Sequence, residues 1–444
     1  MPIRVDARTP DLVTAGDDRY VESTRVWNDR VETRPRAVVR PSDVAEVRAA
    51  VLRARDDGDR LAVRGGGHHV AGSAVRTEGL VLDMRELRAT AWPRDDVLRV
   101  GAGATWHDVA AAAAARGAAV PAGNAPSTGV VGVALGGGIG PFSRAWGLTC
   151  DRVVGLGLVD AEGRYRRVDA EHDPDLLWVA RGAGRGIGVI TDVDLRVEPC
   201  HTEVPVVQTH HAAELAADVL HGWCSATRRC GREVSPQLTV RRLPDVAALD
   251  ERLRGRWVVS VGAVHAGDPA SSAAALEPFH RLAAPVLDHS GTYPLVEPPL
   301  PWRPGLRVHS ASRFLPTLDE DVLRDVVDDV LSGPAGASVT LRTLGGAVQD
   351  ADGTTSCFAH REAAVLCTVQ VEWTDPRDDA EAVGWCRRAD TALSRTAHGL
   401  YGNFLADVAL PGWRSLAYGD TARIDEVLAT HDPDGVFGDM AALP

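Results

Sequence analysis

Val44, Val47, Val51 and Leu52 recur at helical spacing behind Pro41-Ser42-Asp43, which predicts a helix within residues 40–60. Leu61-Ala62-Val63 follows as a short buried strand, and a glycine turn comes directly after it. Leu80-Val81-Leu82-Asp83 and Val97-Leu98-Arg99-Val100 read as further strands, and Thr105 reads as the N-cap of an alanine-rich helix over 106–116 that Gly117 stops. Strand patterns return at Val153-Val154-Gly155-Leu156 and Val189-Ile190-Thr191-Asp192-Val193, with a hairpin turn at Ala161-Glu162-Gly163. The texture changes at Glu198-Pro199. Beyond it, strands such as 257–261 and 365–371 alternate with amphipathic helices such as 320–331, the pattern of an α+β unit around an antiparallel sheet.

Three glycine-rich turns stand out, at 64–72, 123–140 and 182–188, each beside a strand. In Arg64-Gly65-Gly66-Gly67-His68-His69 three successive glycines let backbone N–H groups converge on one concavity that suits a phosphate; a tight turn needing positive φ is the plainer alternative. No lysine-serine pair follows, which excludes a nucleoside triphosphatase, and no glycine set completes the spacing of a Rossmann dinucleotide site. One extended ligand touching all three turns would explain them together.

The composition narrows the chemistry. The 444 residues suffice for two to three domains, and 45% hydrophobic against 25% charged residues belongs to a globular protein. A net charge of -13 disfavours nucleic acid as a partner. All 48 basic residues are arginine, so no lysine exists to form a Schiff base or to anchor pyridoxal phosphate. The seven cysteines are scattered without a CxxC pair and are expected to be free, mostly buried thiols. His210, His211 and His221 lack partners at metal spacing and are expected on the surface or on a helix face, with no metal site. There is no apolar leader and no apolar run long enough for a bilayer span, so a cytoplasmic protein without membrane contact is expected.

Val63-Arg64-Gly65-Gly66-Gly67-His68-His69-Val70-Ala71-Gly72, the run Gly129 to Gly140 with its Gly136-Gly137-Gly138, and Gly147-Leu148-Thr149-Cys150-Asp151 resemble the FAD domain of the p-cresol methylhydroxylase / vanillyl-alcohol oxidase superfamily. Tyr401-Gly402-Asn403-Phe404 and Asp432-Pro433-Asp434-Gly435-Val436-Phe437 are similar to the closing motifs of the berberine-bridge-enzyme-like oxidases within it, and the resemblance runs along nearly the whole chain. It implies an α+β fold with a two-part FAD-binding domain over 1–197, a substrate domain with an antiparallel sheet flanked by helices over 198–398, and a segment 399–444 that returns to the FAD domain.

The resemblance further implies FAD held by Arg64, Gly65, Gly66, Gly67, His68, His69, Gly72, Gly123, Thr128, Gly129, Gly132, Gly138, Ile190 and Asn403. His68 is implied to carry the flavin through its 8α-carbon, with His69 as the rival. An imidazole tether fixes the ring and makes the flavin a stronger oxidant. Many relatives add a cysteine tether; Ala125 stands at that position here, which implies a monocovalent flavin. Thr128 occupies a position where residue size gates oxygen in relatives, and Gly186-Ile187 replace an Asn-Phe pair common in the third turn.

For the base, the resemblance points to Tyr401, positioned by Asn403, with Glu372 as runner-up; Phe404 stands where relatives often have a second tyrosine, and the polar residues Gln370, Glu372, His360, His309 and Arg313 on expected sheet strands are candidates to line the substrate pocket. Of the tryptophans in the half that would cover the flavin (Trp223, Trp257, Trp302, Trp373, Trp385 and Trp413), most are expected in the core and one or two against a flat substrate. The implied activity is an oxidase of a bulky alcohol, hydroquinone or natural-product intermediate that reduces O2 to H2O2, working as a monomer or homodimer in natural-product biosynthesis. A dehydrogenase with another electron acceptor and a drug-binding self-resistance flavoprotein are the alternatives.

Overall fold

The computed structural model describes residues 11–437 apart from 122, 124, 248, 299–302 and 409. Both chain ends of the domain scheme, 1–10 and 438–444, and the position of Trp302 lie outside the described residues.

The first sheet is small and mixed. Its strands run in the order Asp11–Val13, Ala37–Arg40, Leu80–Asp83, Leu61–Arg64, the last three parallel to one another and the first an antiparallel edge. The helix Val44–Asp57 crosses between the second and fourth of these. Asp43 caps it by accepting from the Glu46 N–H, and Gly58 ends it at φ 69°, where a left-handed residue releases the chain toward Leu61. A second sheet is antiparallel, in the order Thr90–Arg94, Val97–Gly101, Val189–Arg196, Val153–Val159, Tyr165–Asp169. The alanine-rich helix closes at Ala114, and Thr105 shares a capping box with Asp108.

The third sheet has eight strands, all antiparallel; its central run is Glu203–Ala212, Trp257–His265, Val234–Arg242, Ala337–Thr343, Val365–Trp373, Arg307–Leu315. Alternation gives it two different faces. Val339, Leu341, Cys367, Val369 and Val371 point into a core shared with the helices Ala216–Arg229, Glu320–Leu331 and Asp379–Leu393. Ser338, Thr340, Thr368 and Gln370 alternate with them on the opposite face.

Two main cores result. One gathers residues between 37 and 197 together with Leu400, Leu405, Trp413, Ile424 and Val436 from the C-terminal stretch; the other draws on residues between 207 and 393. Burying Trp223, Trp385 and the branched aliphatics of the second core stabilises it by about 1.5–3 kcal/mol per large side chain.

His210 and His211 depart from expectation. They sit buried on the strand Glu203–Ala212, where His210 bonds Ser260 and His211 bonds Thr209, because register and not composition chooses which strand residues are covered. His221 is exposed on its helix beside Glu320. All seven cysteines are free and five of them are buried. Among the described residues no helix is long and apolar enough to cross a membrane.

Candidate functional site

The three glycine turns and the polar face of the large sheet enclose a cavity of about 520 Å³, within the range of about 300–1,000 Å³ usual for ligand and cofactor sites. The first two turns meet backbone to backbone. A Cβ built on Gly66 would stand within 3 Å of the Gly129 nitrogen, and one built on Gly129 would meet Gly66 in the same way. Glycine is required at both positions by this approach, not by positive φ. Gly132 is the contrast: a Cβ there meets nothing within 4 Å and it borders the cavity, so the wall is left open where a ligand can lie against backbone. Gly184, Gly186 and Gly188 of the third turn complete the enclosure. Gly123, Thr128, Ala125 and Ile190 line the cavity as well.

The two histidines of the first turn have different situations. His69 has both ring nitrogens engaged: Nε2 lies 3.1 Å from the Gly402 carbonyl and Nδ1 accepts from the Ala71 N–H at 3.3 Å. A carbonyl accepts only, so Nε2 carries the proton and His69 is a fixed neutral strut; burial pushes its pKa down to about 3. His68 also lines the cavity and stacks on Trp27 at 5.9 Å, and among the described residues it makes no hydrogen bond. Burial lowers its pKa to about 4, which keeps the imidazole neutral and one ring nitrogen unprotonated at neutral pH.

Tyr401 is 2% exposed, in a smaller core that joins Ile139 and Leu148 to Phe314, Phe358 and Leu366. Its hydroxyl oxygen receives the N–H groups of Gly138 at 2.9 Å and Ile139 at 3.3 Å and the Asn403 amide at 3.0 Å. Burial raises its pKa above the usual 10, against the opposing pull of these three donors. The segment Tyr401 to Phe404 is held by the strand Arg307–Leu315: Ser312 Oγ accepts from the Tyr401 N–H and Ser310 Oγ donates to the Phe404 carbonyl. Asn403 donates also to the Val133 carbonyl, tying this segment to the second glycine turn.

Four residues expected at the site do not line the cavity. Arg64 turns away, donating to the Ser23 and Glu22 carbonyls, with Asp83 3.9 Å distant. Gly72, at φ 72°, packs where a Cβ would collide with Val31. Gly138 serves through its N–H to Tyr401, and its open side is filled by Thr149. Glu372 lies outside the lining and is paired with Arg303 at 3.0 Å; it reaches the cavity only through Gln370, which donates to it at 3.0 Å.

The tryptophan expectation also shifts. Trp27, from the N-terminal part, borders the cavity, while Trp223, Trp385 and Trp413 are core residues. Ile187 of the third turn is fully buried in the first core.

Of the polar sheet residues expected in the pocket, Gln370 lines the cavity, whereas His309, His360 and Arg313 do not, Arg313 being paired with Asp390 and His360 bonded to the Leu416 carbonyl; Ser310, Ser338, Thr340, Arg342 and Thr368 were missed. Register places Ser310, Gln370 and Ser338 in one row across three strands, and Thr368 with Thr340 in the next. The signal was present in the alternation Ala337-Ser338-Val339-Thr340-Leu341-Arg342, one face apolar and the other hydrogen-bonding. Arg76, Arg185 and Arg342 line the cavity and, among its described lining residues, there is no Asp or Glu. In a chain of net charge -13 this is a local reversal of sign that suits an anionic ligand.

The residues present fit FAD. Glycine turns offer backbone N–H groups and close approach to a diphosphate, Arg76 and Arg185 add positive charge, and a neutral imidazole without a hydrogen bond among the described residues lines the same space. Comparison with known proteins agrees. The family model described as an FAD binding domain matches residues 35–169. An uncharacterized FAD-linked oxidoreductase of Bacillus subtilis is 26% identical over 98% of this chain and 97% of its own length. The (R)-6-hydroxynicotine oxidase of Paenarthrobacter nicotinovorans is 32% identical over 42% of this chain and 41% of its own. Among solved structures, the Physcomitrella patens BBE-like 1 protein superposes with a TM-score of 0.87 at 22% identity, covering 98% of this chain and 97% of that one. The 6-hydroxy-D-nicotine oxidase of Arthrobacter nicotinovorans gives 0.84 at 21%, covering 98% of each.

Proposed function

We propose that this chain, whose residues 35–169 match an FAD binding domain, is an FAD-linked oxidoreductase of the p-cresol methylhydroxylase / vanillyl-alcohol oxidase superfamily that oxidises a bulky alcohol, hydroquinone or natural-product intermediate with reduction of O2 to H2O2. Bound FAD supplies the chemistry of taking two electrons from the substrate and yielding them to oxygen. The glycine turns at 64–72, 123–140 and 182–188 hold it, and His68 carries it covalently at the 8α-carbon, without a second tether at Ala125. The division at 198 and 399 belongs to the same reading: residues up to 197 and from 399 onward hold the cofactor, and the sheet between them receives the substrate.

The observation that carries this is His68, a neutral imidazole with no hydrogen bond among the described residues, on the wall of a cavity built from glycine turns. Its neighbour His69 has no nitrogen to spare. Tyr401 is the proton-transfer group of the proposal. Burial keeps its proton on in the resting enzyme, and the Gly138, Ile139 and Asn403 donors stabilise the oxygen once the proton leaves. The sheet's hydroxyls and amide orient the substrate, and Phe404 bars water from that side.

The test is whether yellow colour and in-gel fluorescence stay with the protein after acid and SDS, in the wild type and in His68→Ala. Retention in the first and loss in the second, with peroxide formed in proportion to an oxidised alcohol, supports the proposal. Loss of flavin from the wild type sinks the tether. One observation favours a second reading, a flavoprotein that binds its ligand without turning it over: no carboxylate among the described residues lines the cavity and the phenol oxygen already receives three N–H groups. Saturable binding without peroxide from any bound compound would decide for it.

A further inference from the structure

Arg342 extends from the strand Ala337–Thr343 into the cavity and is the one charged side chain on the sheet's polar face there among the described residues. Its guanidinium has five N–H donors. It makes a single hydrogen bond among the described residues, at 3.3 Å to the Thr368 hydroxyl, and its carbon lies 5.3 Å from the centre of the Phe404 ring. Among the described residues no carboxylate pairs with it. The titratable groups acting on it are Tyr401 and the Cys367 thiol, both uncharged at pH 7 by their raised pKa values, and the desolvation of its position pulls its own down to about 10.

The five arginines buried elsewhere among the described residues provide the comparison. Arg307 forms a bidentate pair with Asp379 at 2.7 and 2.6 Å, Arg313 one with Asp390 at 2.6 and 2.7 Å, and Arg361 meets Asp151 at 2.5 Å. Arg144 and Arg64 are capped by main-chain carbonyls. A desolvated cation without an anion is costly, and this fold pairs or caps each of those five. Arg342 alone among these six keeps an open fork, and the fork faces the cavity. Its place on the substrate sheet, beside Tyr401 and Phe404, separates it from Arg185 and Arg76 on the glycine-turn side.

We infer that Arg342 binds a carboxylate of the substrate, so that the oxidised compound is an alcohol or hydroquinone that carries an acid group. The planar fork matches the two oxygens of a carboxylate, with the Thr368 hydroxyl beside it. The inference rests on reading this cavity as the substrate site of the flavin enzyme.

The test uses purified holoprotein and three acid–amide pairs: benzoate and benzamide, 4-hydroxybenzoate and 4-hydroxybenzamide, phenylacetate and phenylacetamide. Binding is read from the flavin difference spectrum and separately by calorimetry, so a failure of the flavin assignment would leave the calorimetric ratio standing. At least one acid is expected to bind tenfold or more tightly than its amide. R342Q is expected to bring that ratio near one, and R342K, which keeps the charge and loses the fork, to leave it intermediate. Should R342Q not fold, R342K decides alone by the fall in the ratio. The inference is overturned if no acid is preferred, if the ratio survives in R342Q, or if R342Q shifts the ligand-free flavin spectrum with the ratio unchanged, which would give Arg342 to the cofactor.

Discussion

Gly66→Ala tests how the cofactor cradle is assembled. The new methyl would lie within 3 Å of the Gly129 nitrogen and 3.0 Å from its Cα, where ordinary contact needs about 3.5–4.0 Å. Gly66 has no positive φ, so the backbone conformation is open to alanine and the cost is wholly steric. Both sides are main chain, and no side chain can swing away. The two turns must part by about 1 Å, and overpacking of this kind costs about 1–3 kcal/mol, here at the upper end. At about 1.4 kcal/mol per tenfold, 3 kcal/mol is roughly a hundredfold in the folding equilibrium, and a melting decrease of roughly 6–12 °C for a large domain. Gly65→Ala is the control in the same turn, since its methyl meets only the Ala102 carbonyl at 3.3 Å and should cost under about 1 kcal/mol. Thermal unfolding by circular dichroism and the FAD-to-protein absorbance ratio are measured on both. Gly66→Ala should melt lower and carry less FAD. Equal behaviour of the two variants, or a wild-type Gly66→Ala, would refute the close approach of the two turns.

Three further outcomes are expected. His69→Ala should lose about 1–3 kcal/mol of stability, because the buried Gly402 carbonyl loses its donor, yet keep its flavin through SDS, in contrast to His68→Ala; a colourless His69→Ala would exchange the two roles. With Tyr401 as base, kcat/KM should rise about tenfold per pH unit toward a pKa above 10, because the active form is deprotonated, and Tyr401→Phe should flatten that profile; an unchanged slope removes Tyr401 from proton transfer. The Arg307 hydrogen bond holds the Asp379 carboxyl below the usual range, so this pair stabilises the fold above about pH 4 and the contribution is lost as pH falls through the depressed pKa. Asp379→Asn should therefore be less stable than the wild type at neutral pH and converge on it in acid, followed by urea unfolding at pH 7 and pH 3.

The sequence by itself determined what depends on neighbours along the chain. The triple glycine beside a strand, the helix starts at Asp43 and Thr105, the stop at Gly58 and the alternation in 337–343 are local, since caps, turns and periodicity are set within a few residues. A motif spread over 64–72, 129–140 and 401–404 could be matched as a pattern, and the structure brings its parts to one cavity. Only the tertiary structure decided which of two adjacent histidines is free, because the Gly402 carbonyl that occupies His69 lies 333 residues away. It turned Arg64 and Glu372 out of the site by giving them nearer partners, and it buried His210 and His211 by register. It also left Arg342 without a carboxylate among the described residues. Whether a charge is paired depends on which strands lie side by side, and that is fixed by contacts between residues far apart in the chain, to which no local spacing is sensitive.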